Sequence, residues 1–558
     1  MAHSREENGD VPDPADIESE VATPQSLMSR VSTLNSFMDA AEPGVTAEHQ
    51  LTIRAALPLY VKAILWSVLL SLTIAMEGYD LGIINGFYAL PQFQSEYGKP
   101  VAGSVSSEPY QVPTAWQSAL TTAPIVGEIV GLLFNGFLTE RFGYRYTLVG
   151  ALVWLCVFIF LAFFANTVGL LLASEVLCGI SWGAFQTLST TYASEIMPVA
   201  LRAYLTSNVN FCWLLGQLTG TGVQRGIIYI QSEWSYRIPF ALQWVWAVFI
   251  LAGVILAPES PWWLLRKGYY DRAKASLLRL TRKGMASFNA DETISLMKRT
   301  NDLEKSLRAG NSYWDCFMGV NLRRTEICCM VWATQTLCGA PMTAYATYFY
   351  NQTGIDAVRS FDLSLGMYGL GIVGAMISWF LMPVVGRRTL YLWGLAILFL
   401  LLLVAGSVGT QDRSVGTQDT TLWVPWTLGS LVILHTFVYD ITIGPVCYSL
   451  VAEIPSTRLK VKTVVLARIA YNITTILSSV LMPEMVDQTA WNWKGKTCFF
   501  WAGTCLLCYV WCYYRLPEPK GLTYLELDFL FEKRIIAREF RSVPNILEEV
   551  THLQTGNG

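Results

Sequence analysis

The sequence is poor in charge and nearly devoid of histidine. Asp, Glu, Lys and Arg make up 15% of its 558 residues, against roughly 25% in an ordinary soluble domain. With four histidines, and with twelve cysteines among which no CxxC is followed by a second CxxC, no metal site is expected. Cys328 and Cys329 are neighbours, whereas Cys156, Cys178, Cys212, Cys447 and Cys505 lie inside apolar runs, as small packing residues do. A net charge of −3 without a basic stripe excludes a nucleic-acid binder. No nucleophile, metal or phosphate-loop constellation is present, so neither an enzyme nor a bound cofactor is expected. Residues 1–27 lack the apolar core of a cleavable signal peptide. The first apolar helix is therefore expected to be its own uncleaved insertion signal.

What is abundant is apolar surface. Apolar residues make up 53% of the chain, and the mean hydropathy is +0.38. A soluble protein could not hide that much, so lipid must solvate part of it. A spanning helix needs about 20 predominantly apolar residues. Such runs lie near 61–90, 116–138, 147–165, 168–192, 204–223 and 239–257, and again near 326–350, 362–383, 389–408, 422–450, 461–482 and 497–515. The expectation is an all-α membrane protein of twelve transmembrane helices in two six-helix halves. Residues 1–54 form an acidic, Ser/Pro/Ala-rich tail, 55–261 the first half, 262–325 a polar central loop, 326–515 the second half and 516–558 a charged tail.

Positive charge sets the orientation. The central stretch holds thirteen Lys and Arg, from Arg266 to Arg324, while the alternate loops have few. Both termini and the central loop are thus expected in the cytosol. That puts the sequon at Asn351 outside, too close to helix 7 for ready glycosylation.

The halves echo one another. Phe137-Leu138 and Gly143 recur as Phe380-Leu381 and Gly386; Glu195 and Arg202 recur as Glu453 and Lys460; Pro258-Glu259 recurs as Pro517-Glu518. Each pair follows the matching helix on the same side. A duplicated unit of this kind places a substrate at the interface of two halves that rock about it.

Charge inside a spanning helix costs about 2.5–3.5 kcal/mol per residue on insertion scales, so each case needs a reason. Helix 1 carries Glu77 and Asp80, three apart and on one face. Helix 2 carries Glu128 between Gly127 and Gly131, helix 4 Glu175, helix 10 Asp440 and helix 11 Arg468. Five acids against one Arg leave carboxyls able to take up and release a proton. Glu77, Asp80, Glu128 and Arg468 are the candidates for proton coupling; Glu175 and Asp440 could equally be helix-end residues. Asn210, Gln217, Gln335, Tyr348, Tyr448 and Asn472 suit the hydroxyls and faces of a sugar, although amides also tie membrane helices together. At the cytosolic ends, Glu195 and Arg202, like Glu453 and Lys460, can pair with loop cations from Arg141, Arg145, Arg387 and Arg388 to form a gate.

These residues resemble the sugar porter family of the major facilitator superfamily. Pro258-Glu259-Ser260-Pro261-Trp262-Trp263-Leu264 is similar to the family's PESPRWL after helix 6, and Pro517-Glu518-Pro519-Lys520-Gly521 to its PETKG after helix 12. Tyr192 through Arg202 is similar to YxSEixPxxxR. EGYD at 77–80, FYALPQFQSEYG at 87–98, WGAFQT at 182–187, YRIPFALQWVW at 236–246, TIGPVCY at 442–448, EIPSTRLK at 453–460 and YLELDFLFE at 524–532 point within that family to the fungal α-glucoside permeases.

The resemblance implies the major facilitator fold and proton symport of maltose-like disaccharides, with Glu77, Asp80, Glu128 and Arg468 at the coupling positions. It also implies a multi-pass plasma-membrane protein whose partners are a sugar, protons and membrane lipid, and which works as a monomer. Three departures bear on this. The family's helix-4 Arg is Glu175 here, which leaves Arg468 as the expected partner of Asp80 or Glu77. QQxxGxN reads Gln335-Thr336-Leu337-Cys338-Gly339-Ala340-Pro341, and Tyr448 replaces a frequent Trp, which argues against simple hexose specificity. Lys460 for Arg, Glu140 for Asp and Ala203 for Gly soften the gate motifs. A porter of another glycoside or metabolite, and a non-transporting sugar sensor, are the alternatives.

Overall fold

The computed structural model describes residues 53–541 apart from 101–109, 198, 283–289, 296, 299–311, 354, 412–422, 457–458, 488–489, 521–526, 528–529 and 532. The N-terminal tail expected over 1–54 thus lies almost wholly outside the described residues, as does most of 516–558.

Six long helices come first: α1 (Val61–Phe87), α2 (Thr114–Phe142), α3 (Tyr144–Phe163), α4 (Val168–Ile196), α5 (Val199–Ile227) and α6 (Trp234–Leu256). The second set is α7a (Gly319–Leu337) with α7b (Ala346–Gln352), α8 (Ala357–Val385), α9 (Arg387–Thr410), α10a (Trp423–Ile441) with α10b (Ile443–Glu453), α11 (Lys460–Val486) and α12 (Thr497–Arg515). Ten of these segments are long and apolar enough to cross a membrane by length and composition, α10a and α10b counting as one. The other two are more polar: α5 carries Asn208, Asn210, Gln217 and Gln224, and α7a carries Arg323, Arg324 and Glu326 besides Gln335. Large apolar side chains such as Phe134, Phe160, Phe249, Phe380, Trp393 and Leu507 stand exposed on the outer faces, where only lipid would cover them.

Two helices expected as single spans are broken. Helix 7 stops at Gly339, which takes the left-handed conformation (φ 103°) before Pro341 restarts the chain. Helix 10 breaks at Thr442, three residues before Pro445. Helix 7 also begins at Gly319 rather than near 326.

Packing follows the duplication. One apolar cluster is built mainly from the first six helices; another centres on the second six and takes in the ends of α1 and α2. The halves meet where α2 faces α11, α5 faces α8 and α10b, and α1 faces α7b. Within the first half, α2 and α4 touch backbone to backbone. A Cβ on Gly127 would strike the carbonyl of Val176, and one on Gly179 that of Pro124. Short helices at Pro261–Arg266 and Tyr270–Leu280 pack beneath the first half and mark what we term the loop face. The opposite, far face carries the α1–α2 connection, including a two-residue antiparallel pairing of Lys99–Pro100 with Tyr110–Gln111.

Candidate functional site

A cavity of about 150 Å³ lies between the halves. Asn210 and Gln217 reach it from α5, Gln335 from α7a, Tyr448 from α10b, and Asn472 from α11; Glu128, Asp440 and Arg468 also line it. Several of these polar groups are held only in part. Gln335 donates to the Gly444 carbonyl at 3.1 Å, and Asn210 donates across the interface to Asp440 Oδ1 at 3.2 Å. Asp440 Oδ2 and both amide atoms of Asn472 have no hydrogen-bond partner. Buried polar atoms rarely stay unpaired, so these are places for a hydroxylated ligand or water. Tyr448 meets Trp332 edge-on with centroids 4.9 Å apart, which adds an aromatic face.

Tyr348 does not belong to this wall. Its hydroxyl donates to Asp487 Oδ2 at 2.6 Å and accepts from Gln117 at 3.3 Å, near the far face. Tyr345, three residues earlier in the same run, lines the cavity instead and stacks on Tyr88. Thr114 also donates to Glu484 across the halves at 2.6 Å, and Arg225 to Asp362 at 2.6 Å. Together these contacts bind the two halves at the far face.

The acids divide into two groups. Arg468 lies over the rings of Tyr471 and Trp332 at 4.4 and 4.7 Å. Its Nε donates to Gln186 Oε1 at 2.5 Å, and its guanidinium stands 3.9 Å from Glu77. The Gln186 amide donates to Glu77 Oε1 and, at 3.1 Å, to Glu128 Oε2. One Arg from the second half therefore gathers Glu77, Glu128 and Gln186 of the first. Asp80 is not part of this group. It accepts from Gln243 at 2.5 Å and lies beside Glu175 and Trp182. Of the two partners expected for Arg468, Asp80 or Glu77, it is Glu77 that the guanidinium approaches. A spacing of three leaves the two side chains about 60° apart around α1, and across that offset Glu77 meets Arg468 of the second half while Asp80 meets Gln243 on α6.

Gln186 and Gln243 were not singled out in the sequence, although both fall in strings that carried the resemblance. An amide in an apolar helix is a weaker signal than a charge, because it serves as packing glue as readily as a site. The useful sign was position: Glu175, Trp182 and Gln186 recur at spacings of seven and four on α4, which puts them along one face.

At the loop face the duplicated motifs form two matching corners. Gly143 (φ 92°) opens α3, and Glu259 accepts from the backbone N–H of Tyr144 at 2.9 Å and Arg145 at 3.2 Å. Gly386 (φ 96°) opens α9, and Glu518 accepts from Arg387 at 2.9 Å and Arg388 at 3.1 Å. Each carboxylate thus caps a helix N-terminus, where free N–H groups and the helix dipole favour an anion. A Cβ on either glycine would press into its carboxylate. Burial lifts the Glu259 carboxyl above its ordinary value, opposed by the N–H groups of Ser260, Arg145 and Tyr144.

The gate residues are distributed differently from expectation. Arg266, not Arg141 or Arg145, pairs with Glu195 at 2.8 Å. Arg141 is exposed beside the Phe142 ring, and the Arg145 side chain donates to the Ile255 carbonyl. Arg387 pairs with Glu453 at 2.9 Å, while Arg388 donates to the Tyr513 carbonyl. Lys460 begins α11; the side chain of Arg202 lies outside the described residues. Both ion pairs sit within one half or between it and the central segment.

The comparisons agree with this architecture. The model of the family "Sugar (and other) transporter" matches residues 66–531. The maltose permease MAL31 of Saccharomyces cerevisiae is 39% identical over 518 residues, covering 91% of this chain and 82% of that protein. The general α-glucoside permease of the same organism is 37% identical over 517 residues, covering 92% and 82%. Among solved structures, the proton:xylose symporter XylE bound to 6-bromo-6-deoxy-D-glucose superposes with a TM-score of 0.68 at 21% identity, covering 85% of this chain and 99% of that one. Partially occluded, inward-open XylE from Escherichia coli gives 0.66 at 19% identity, covering 82% and 99%. The chain therefore has the major facilitator fold and belongs to the sugar transporter family, alongside the yeast maltose and α-glucoside permeases.

Proposed function

We propose that this protein imports α-glucosides such as maltose across the plasma membrane by alternating access, driven by protons, with its termini and central segment in the cytosol. The observation that carries this reading is a cavity between the halves whose wall combines unpaired amide and carboxyl atoms with a buried Glu77–Gln186–Glu128–Arg468 cluster. Hydroxyl-binding groups and proton-binding acids share that wall, so sugar and proton can influence each other over one or two side chains.

Two features support alternating access. The cavity of about 150 Å³ is smaller than the roughly 300 Å³ at which ligand pockets usually begin, so a disaccharide requires the halves to separate. The far face is closed by the Thr114–Glu484, Gln117–Tyr348 and Arg225–Asp362 contacts, which sugar entry from that side must break. Loss of the second helix-7 Gln to Thr336, and Pro341 in place of Asn, favour an α-linked disaccharide over a hexose.

Expressed in a yeast lacking sugar transporters, the protein should accumulate labelled maltose and alkalinise an unbuffered medium as it does so. Uptake should fall as external pH rises and collapse with a protonophore, and unlabelled glucose should compete less well than maltose. Maltose uptake indifferent to both pH and protonophore would end the symport reading; better competition by glucose would end the α-glucoside reading.

A further inference from the structure

The Arg468 cluster leaves a second pair of buried acids unexplained. Asp80 on α1 and Glu175 on α4 are 2% and 1% exposed. They interact with each other directly, and Asp80 Oδ2 and Glu175 Oε2 have no hydrogen-bond partner. The indole N–H of Trp182 on α4 is turned toward Asp80. The Gln243 amide on α6 supplies the one strong donor, to Asp80 Oδ1. The other titratable groups that interact with the pair are Tyr79, beside Asp80, Tyr88, just past the end of α1 and near Glu175, and Cys178 on α4. No Lys, Arg or His is among the groups that act on either carboxyl, among the described residues.

Two adjoining carboxylates without a cation repel one another strongly in a dry interior, and each loses its hydration besides. One proton shared between them removes most of that penalty. We propose that Asp80 and Glu175 form a proton-binding carboxyl pair, separate from the Arg468 cluster, and that its loading and emptying controls how α1 packs against α4. This deepens the proton-symport reading above and rests on it.

The chemistry is a single transfer: water delivers a proton to one carboxylate oxygen, the O–H so formed faces the partner carboxylate, and the same proton later leaves to water. With the pair loaded, α1 and α4 can pack as seen here. With it empty, the two like charges push these helices apart. Glu77 lies one turn from Asp80 on α1, and Gln186 lies three turns from Glu175 on α4. A shift between the two helices therefore changes the grip of Glu77 and Gln186 on Arg468, and so on the second half.

The test uses the full chain, fused to a fluorescent protein, in the transporter-null yeast. Glu175→Gln imitates a permanently loaded pair. Its surface-normalised exchange of labelled for unlabelled maltose should stay within about twofold of the unaltered protein, while its accumulation ratio falls at least about tenfold. Full accumulation with an unchanged pH profile would overturn the proposal. Gln243→Leu provides a second arm that does not depend on Glu175→Gln reaching the surface. It removes the donor that favours the charged form of Asp80, so the pH at which accumulation halves should rise by about one unit; an unmoved midpoint would overturn the pair. Failure of the unaltered protein to exchange maltose at all would instead refute the α-glucoside reading and is told apart by that control.

Discussion

The two halves build the same loop-face corner twice, but hold it with different side chains. In both, a left-handed glycine turns the chain and a Pro-Glu carboxylate from beyond the sixth helix of the half caps the third. The ion pair then diverges. In the first half Tyr144 stands where the second has Arg387; its hydroxyl donates to Glu195 at 2.9 Å, and the cation comes from Arg266 in the central segment. In the second half Arg387 itself supplies the cation to Glu453, helped by Ser449 at 3.0 Å. Ser260, which donates to Glu195, has Pro519 as its counterpart, and Pro519 has no donor to offer. Backbone capping is fixed by helix geometry and survives duplication unchanged. A carboxylate's partner can be drawn from any nearby segment, so there the halves are free to differ.

The acids show a larger asymmetry. Glu77, Asp80, Glu128 and Glu175 all lie in the first half, while the cation that gathers two of them comes from the second. Arg468→Leu tests this division most severely. Glu77 and Gln186 would lose their cation in a dry site, and breaking a buried pair from one side typically costs about 3–5 kcal/mol. Accumulation of maltose should drop by roughly two orders of magnitude or vanish, with exchange at the surface less affected. Concentrative uptake at the normal level would show that the first half handles its protons without help from the second.

Capping comes next. Glu259→Ala and Glu518→Ala each leave two helix N-terminal N–H groups without an acceptor, at about 1–2 kcal/mol for a lost cap, with more for the half-buried charge removed from its site. Both variants should lower surface abundance and the detergent melting temperature, and by similar amounts. A loss at one corner only would break the equivalence of the halves at the very feature that duplication has kept.

Much of this was legible in the sequence, and what was hidden has identifiable causes. Apolar runs gave the bundle segments, and the paired Gly143/Gly386 and Glu259/Glu518 gave the duplication. The breaks in helices 7 and 10 were hidden because Gly339-Ala340-Pro341 and Thr442 through Pro445 lie within runs whose hydropathy continues across them. Asn210, Gln217, Gln335, Tyr448 and Asn472 do share one cavity wall, since polar groups on apolar helices must face inward. Tyr348 satisfies the same rule at a different depth, bonded to Asp487 near the far face. The partners of Glu195 and Asp80 could not be read, because Arg266 and Glu175 are remote from them in sequence and become neighbours only through packing.

The finest distinction between the corners is the pairing of Arg266 with Glu195 against that of Arg387 with Glu453. Arg266→Gln would leave Glu195 with the hydroxyls of Tyr144 and Ser260, one on each oxygen. Arg387→Gln would leave Glu453 with Ser449 alone, its Oε2 already lacking a partner. Arg387 is also the better covered of the two, its side chain 16% exposed against 33% for Arg266. An under-satisfied carboxylate costs about 1–3 kcal/mol when buried and less for the half-buried Glu453, so Arg387→Gln should lower surface-normalised maltose uptake by roughly fivefold and Arg266→Gln by about twofold. Adding Ser260→Ala to Arg266→Gln removes one of the remaining hydroxyls and should bring the first corner down to the level of the second. If Arg266→Gln alone already equals Arg387→Gln, the hydroxyls do not substitute for a cation. If it is the worse of the two, the central segment, through Arg266, holds the first half more firmly than the second half holds itself.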